Sequence, residues 1–287
     1  MEDITNVWNC EIEILKEVDR ICDKYNIRYF ASSGTLLGAI RHNGFIPWDD
    51  DIDLEMLRPD YERFRKIALS ELNDKFFLQS GYTDKDFYGG MLHIRMNGTT
   101  AIQLQNYPHT KYHQGIFIDI FPLDGVIENP ILFKFQTKCK NLINNMMWFR
   151  HYRKLSKFKF KHILLFLPCI MPQKWVFALF ESVCKWKKCI RANYVDAISF
   201  FGNSGVGKRK TSWYEKTDLH VFQNTTIPIP VKFNEILTEM YGTDYMTPKQ
   251  YSGDHVKVFF DTKHSYKDYL TGTLEIPEEF IKKWQNL

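Results

Sequence analysis

The sequence predicts an α+β fold: β-strands with flanking helices and a basic, aromatic-rich helical insertion. Three observations lead there. Over residues 1–130 stretches of helical periodicity interleave with short strand-like runs; between Lys134 and Arg191 the chain turns basic and aromatic; past it, mixed elements resume. The expected organisation is therefore a core over 1–130, a basic helical subdomain over 131–195, and a C-terminal part, 196–287, that completes the core.

Residues 5 to 25 place Val7, Ile14, Leu15, Val18, Ile21, Cys22 and Tyr25 at three-to-four spacing behind a Thr5 or Asn6 cap, which is an amphipathic helix. Asn26 to Ala31 reads as a strand, Gly34-Thr35 as a turn, and Leu36 to His42 as a short helix. A loop through Gly44 to Asp50 leads into an acidic strand. Asp60 to Leu72, started by Pro59, is a second helix. Met91 to Met96 alternates apolar and basic residues, as a half-buried strand with His93 and Arg95 on one side would. Asn97-Gly98 predicts a hairpin that brings Thr99 to Leu104 back as its partner. Gly115 to Gly125 is an apolar run around one acid, Asp119, with Asp124-Gly125 as a turn. Ile131 to Arg191 is helical, Phe233 to Tyr241 is a helix closed by Gly242, and a last helix starts near Pro277.

Composition excludes several classes. With 44% apolar and 25% charged residues the chain is globular rather than disordered. Its start, M-E-D-I-T-N, has no basic-then-apolar leader, so the expected location is the cytoplasm or the inner face of its membrane. Cys10, Cys22, Cys139, Cys169, Cys184 and Cys189 lack the close pairing of a zinc site and read as reduced thiols. The net charge of +4 hides an asymmetry: Lys134 to Arg191 holds 14 Lys or Arg and one acid, Glu181, a local excess of +13. That segment is a helical surface with a solvated basic face, a surface lying on anionic lipid, or a nucleic-acid surface. No nucleic-acid module accompanies it. Gly202 to Lys208 nearly spells a P-loop, but Arg209 stands where Ser or Thr should follow, and no apolar helix face comes after it.

Two stretches carry chemistry. Asp49, Asp50, Asp51 and Asp53 crowd into five positions between apolar runs. If Asp51 to Leu54 is a strand, both its carboxylates leave one face while Ile52 and Leu54 enter the core, and such a pair suits Mg²⁺ or Mn²⁺. The bland alternative is a solvated acidic turn. Just upstream, amides at Gly34-Thr35 are placed to hold a phosphate at a helix start. In the second stretch, Asp119 sits inside an apolar run and must be either a ligand or hydrogen-bonded structure, since burying an unpaired carboxylate is costly. Asp254-His255 offers an acid beside an imidazole.

Tyr29 to Met56, Y-F-A-S-S-G-T-L-L-G-A-I-R-H-N-G-F-I-P-W-D-D-D-I-D-L-E-M, resembles the signature of the LicD family of phosphotransferases, which includes the fukutin-related proteins. F-I-D-I-F-P-L-D-G-V within Gly115 to Gly125 and Y-G-T-D-Y-M-T-P from Tyr241 resemble two further blocks of that family. The resemblance implies a nucleotidyltransferase-like fold, a mixed β-sheet with flanking helices, with Asp51, Asp53 and Asp119 as catalytic and metal-binding acids. It also implies phosphate-facing amides at Gly34 and Thr35. Arg41, His42 and Arg95 are expected to contact phosphate, and Asp50 and His255 to lie with the substrate. There are departures: His93 stands for a lysine of the family's K-x-R block, Gln223 for an acid, Thr243 interrupts the third block, and Asp254-His255 replaces a His-His pair.

The implied function is Mg²⁺-dependent transfer of a phosphoalcohol, with CDP-choline the favoured CDP-alcohol donor, to a hydroxyl of a cell-surface glycan or its lipid-linked precursor. Peripheral membrane contact through 134–191 and no nucleic acid complete the expected partners. Two alternatives stay open: a nucleotidyltransferase that makes an activated nucleotide-alcohol or sugar, and a non-catalytic membrane-surface protein whose aspartates bind metal.

Overall fold

A computed structural model describes residues 3–104, 107, 110–152, 171–200, 209–248 and 258–285. The Gly202 to Lys208 loop, Asp254-His255, Cys169 and the basic run from Arg153 to Lys161 lie outside them. The architecture is α+β, as expected. Helix α1, Ile4–Tyr25, buries Val7, Ile14, Leu15, Val18, Ile21 and Cys22 along one stripe. Its cap is Asp3 rather than Thr5 or Asn6, because the Asp3 carboxylate accepts the Thr5 amide at 3.0 Å. Asn26 takes the left-handed conformation that closes the helix, so the following strand, β1, shrinks to Phe30–Ala31.

Helix α2 (Ser33–His42) follows directly, and the expected turn at Gly34-Thr35 forms its first turn. Strand β2 (Asp53–Leu57) runs into α3 (Arg58–Glu71), where Pro59 occupies the first helical turn. Then come β3 (Phe76–Gln79), β4 (Leu92–Met96), β5 (Thr100–Gln103) and β6 (Phe117–Gly125). Helices α4 (Pro130–Tyr152) and α5 (Gln173–Cys184) make up the described insertion. Strands β7 (Tyr194–Asp196), β8 (Arg209–Lys210), β9 (Thr217–Phe222) and β10 (Thr225–Pro230) lead to α6 (Phe233–Tyr241). Strand β11 (Val258–Asp261) and helices α7 (Tyr266–Leu270) and α8 (Glu278–Gln285) end the described chain.

The main sheet is mixed, ordered β1-β2-β6-β4-β3, with β7 joined to the end of β6 and β8 to β7. Strands β2 and β6 are parallel, and β4 lies antiparallel on the other edge of β6. This placement overturns the hairpin predicted at Asn97-Gly98. Gly98 does turn the chain, at φ +77°, but both edges of β4 are already taken, by β3 and β6. Thr99 to Leu104 therefore leaves the sheet, and β5 pairs with β11 instead. Strand β4 is also buried on both faces rather than half-buried.

The expected turn at Asp124-Gly125 is the end of β6, paired with β7. Asp124 is buried there because Arg58 clamps it with two hydrogen bonds, at 2.7 and 2.5 Å, while a third arm of Arg58 reaches Glu181 on α5 at 3.1 Å. Helices α1 and α3 pack on the sheet, and α2 packs against β2, β9 and α6. One apolar cluster runs from Val7 to Tyr245. A separate one joins Ile143 and Met147 of α4 to Val176, Phe177 and Phe180 of α5. Among the described residues no helix is long and apolar enough to cross a membrane.

Candidate active site

The start of α2 and the start of β2 are stitched together. The Asp53 amide donates to Thr35 Oγ1 at 2.8 Å, and the Ser32 amide donates to the Asp53 carbonyl at 3.0 Å. Thr35 is thus buried as a brace, while the amides of Ser33, Gly34 and Thr35 stand at a helix start with no intrahelical acceptor. Ser33 holds φ +46°, a conformation costly for a residue with a Cβ. At Gly34 a Cβ would meet Asp49 Oδ2 at 2.5 Å, so a larger residue there would displace that carboxylate.

The acidic loop is fixed by aromatic rings. Phe45 stacks on Trp8 of α1 at 4.8 Å between centroids and leans on Phe222 of β9 at 5.0 Å, and Trp8 Nε1 donates to the Asp49 carbonyl at 2.9 Å. Asp51 and Asp53 then emerge on one wall of a cleft of about 600 Å³, with Ile52 and Leu54 buried behind them as the alternation predicts. The strand ladder itself begins only at Asp53.

Strand register supplies Asp119. It lies beside Asp53 on the neighbouring parallel strand and across from His93 on β4. In-register side chains of adjacent strands share a face, so residues 66 positions apart become neighbours. Asp119 is buried and is not part of the cleft wall itself. Its Oδ1 lies 3.2 Å from His93 Nε2, without the alignment of a hydrogen bond, and neither atom has another hydrogen-bonding partner.

The His93 tautomer follows from its other nitrogen. Arg95, which can only donate, contacts Nδ1 at 2.9 Å, so the ring proton sits on Nε2 and faces Asp119. Burial and the Arg95 charge hold this imidazole well below its usual range, hence neutral. Arg95 itself is committed: it also donates to Gln79 Oε1 at 2.5 Å and to the Gly115 carbonyl at 2.7 Å, and lies over the Phe117 ring. It is buried away from the cleft and positions His93.

Electrostatics show what the acids lack. Asp53 still meets solvent in the cleft but is hemmed in by protein, and its carboxyl is pushed well above the usual range by burial and then by Asp51, Asp119, Asp49 and Glu55. Burial also pushes Asp119 upward, against the pull of Arg95. Beneath the loop, Glu11 of α1 is buried, with Oε2 unpartnered and its carboxyl pushed up by burial and by Asp51, Asp50 and Asp49. So many acids gathered in one place, offering only oxygen, suit a hard divalent cation. Among the described residues, three carboxylates that can bring one oxygen each within 4.8 Å of one another are Asp49, Asp50 and Asp51; the expected trio of Asp51, Asp53 and Asp119 is spread wider.

Arg41 lines the cleft from the last turn of α2 and donates to the Tyr245 carbonyl at 3.0 Å and to His42 Nε2 at 2.9 Å. His42 is occupied by that bond and lies outside the cleft wall. His255 falls outside the described residues. The opposite wall comes from residues the sequence reading assigned no role: Met240, Tyr241, Tyr245 and Thr247, with Trp48 and Ser33 on the near side. Their signal was the Tyr241 block. Glu11 had one too, an acid within the apolar stripe of a helix.

The sequence comparisons agree with this geometry. Residues 26–170 match the family model described as LicD/FKTN/FKRP, nucleotidyltransferase domain. Over 119 residues the chain is 36% identical to the lipopolysaccharide cholinephosphotransferase LicD of Haemophilus influenzae, covering 42% of this chain and 43% of that protein. It is 30% identical over 87 residues to the ribitol 5-phosphate transferase FKRP of Homo sapiens and of Mus musculus, covering 28% of this chain and 18% of each. The matched region thus spans less than half the length of each of these relatives. With the family model covering half of the chain, and the Asp53-Asp119 strand pair beside the opening turn of α2 at its centre, the chain belongs to the LicD family.

Proposed function

We propose that this protein transfers a phosphoalcohol, phosphocholine in the favoured case, from a CDP-linked donor to a hydroxyl of a glycan or its lipid-linked precursor. One observation carries the reading: the opening turn of α2, at Ser33 and Gly34, and the acids Asp49, Asp51 and Asp53 line the same cleft, so a phosphate site and a cation site would adjoin. The relatives named as a cholinephosphotransferase and a ribitol 5-phosphate transferase support a phosphoalcohol as the group moved.

In the reaction the acceptor oxygen bonds to the phosphorus that carries the alcohol, the bond from that phosphorus to the CMP oxygen breaks, and the acceptor proton passes to a base. The work is alignment and charge neutralisation. Asp51 and Asp53, with Asp49 and Asp50 beside them, would hold Mg²⁺. Bound there, Mg²⁺ would offset the charge of the diphosphate and of departing CMP. The Ser33 and Gly34 amides would face phosphate oxygens, with Thr35 bracing the turn behind them, and Arg41 adds a cation in the same cleft. Asp119, buried beside Asp53 and raised in affinity for protons, would complete the cation's shell or take the acceptor's proton. Trp48, Tyr241 and Tyr245 give the cleft the ring faces that a quaternary ammonium prefers, which favours choline.

The test is CMP release with Mg²⁺ from CDP-choline, CDP-ethanolamine, CDP-glycerol and CDP-ribitol. CMP should appear, fastest from CDP-choline, and Asp53→Asn should abolish it. Pyrophosphate formed from CTP and a phosphoalcohol would instead establish a nucleotidyltransferase. Full turnover in Asp53→Asn would reject the assignment of the acids.

A further inference from the structure

Outside the cleft, the most unusual surface is on the helical insertion. Ile131, Phe135 and Leu142 of α4 follow one another at spacings of four and seven, as do Trp175 and Leu179 of α5 with Trp186 just past its end. Within each helix these spacings keep side chains on one face. All six are between 46% and 79% exposed. The Phe135 and Trp186 rings stack at 5.9 Å, which joins the two stripes into one apolar surface.

The inner faces need nothing more. Ile143 and Met147 of α4 pack on Val176, Phe177 and Phe180, and Gln136 donates to the Val183 and Cys184 carbonyls at 2.8 and 3.2 Å. The outward stripes are therefore surplus to folding. A connected surface of large apolar side chains on a folded protein marks an interaction site.

Charge identifies the occupant. Lys134, Lys138, Lys174 and Lys188 are exposed around the stripes, and the sole acid between 134 and 191, Glu181, is turned inward to Arg58 and Tyr82. The surface thus shows apolar and aromatic groups framed by cations, with no exposed acid from this segment. Two such faces would repel each other, which argues against a second copy of the chain. Indole rings at the level of headgroups, lysines reaching anionic lipid and aliphatic side chains just below are the pattern of a helix pair lying in a membrane interface. We infer that α4 and α5 dock this protein on an anionic lipid bilayer, lying on it through Ile131, Phe135, Leu142, Trp175, Leu179 and Trp186.

The test is flotation of the full chain with vesicles of phosphatidylcholine alone or mixed with phosphatidylglycerol. The wild type should float with the mixed vesicles, less so in high salt, and its tryptophan emission should shift to shorter wavelength. A triple variant, Phe135→Ser, Trp175→Ser, Leu179→Ser, should lose at least about tenfold in partitioning while its melting temperature holds, because these side chains are exposed. A second variant, Lys138→Glu with Lys174→Glu, guards against misfolding of the first and should lose binding to the anionic vesicles. The inference is overturned if the wild type fails to float at low salt or if both variants float like the wild type. It is equally overturned if the wild type is a dimer that the triple variant turns into a monomer.

Discussion

His113 shows how much a single ring can encode. It stacks on Phe77 with centroids 5.0 Å apart, its Nδ1 accepts the Gly115 amide at 3.1 Å, and the Nε2 proton this leaves is donated to Asn97 Oδ1 at 2.9 Å. The bond accepted at Nδ1 needs the neutral ring. Burial, reinforced by Arg95 and Lys267, accordingly drives its pKa down to about 3, from an ordinary 6.5. A group whose folded pKa is depressed below the unfolded one loses its contribution as pH falls from 6.5 towards 3, at about 1.4 kcal/mol per unit once the unfolded form is protonated. Unfolding free energies at pH 6.5 and pH 5 should therefore drop more steeply in the wild type than in His113→Gln, by about 1–2 kcal/mol. Equal slopes would show that the ring is not held neutral. At this scale the acids were legible because charge inside an apolar run demands an explanation. The commitment of Arg95 to Gln79, Gly115 and His93 was not, since nothing in L-H-I-R-M tells a phosphate ligand from a brace.

Between elements, buried ion pairs decide how helices sit on the sheet. Arg58 opens α3, Asp124 ends β6 and Glu181 lies on α5, so one guanidinium ties the insertion to the core. Desolvation alone would lower the affinity of Arg58 for its proton; Asp124, with Tyr61 and Glu181 beside it, more than reverses that. Arg58→Leu would strand two buried carboxylates and should cost about 3–5 kcal/mol, read as a fall in the urea midpoint. A loss below about 1 kcal/mol would mean that water reaches the cluster. Helices were the readable elements, because a stripe of apolar residues repeats whatever its partner. Strands were harder: neither β3 nor the β9–β10 hairpin, with Gln223 at φ +55°, was anticipated. Period-two signals over four to six residues are short, and pairing partners are not written locally.

For the molecule as a whole, folding gathers like charge at the cleft, with Glu11, Asp49, Asp50, Asp51, Asp53 and Asp119 all near one end of the sheet. A ligand that binds only the folded state raises its stability, by about 2.7 kcal/mol at a hundred times its dissociation constant. Magnesium chloride should thus raise the melting temperature of the wild type by several degrees, beyond any effect of matched ionic strength from sodium chloride. Asp53→Asn should lose most of that shift. An identical shift in both proteins would place the cation elsewhere.

The sequence by itself determined the α+β class, the helices α1, α3 and α6, the family and the aspartate-rich segment that lines the cleft, because periodicity, capping and dense charge are properties of neighbouring residues. Only the tertiary structure decided that β6 lies parallel to β2 and so sets Asp119 beside Asp53, that β5 leaves β4 for β11, that Tyr241 and Tyr245 wall the same cleft, and that two helix stripes meet at Phe135 and Trp186. Those are contacts between residues far apart in the chain. They are selected by which edges and faces remain unoccupied once the core has packed, and no local pattern records that.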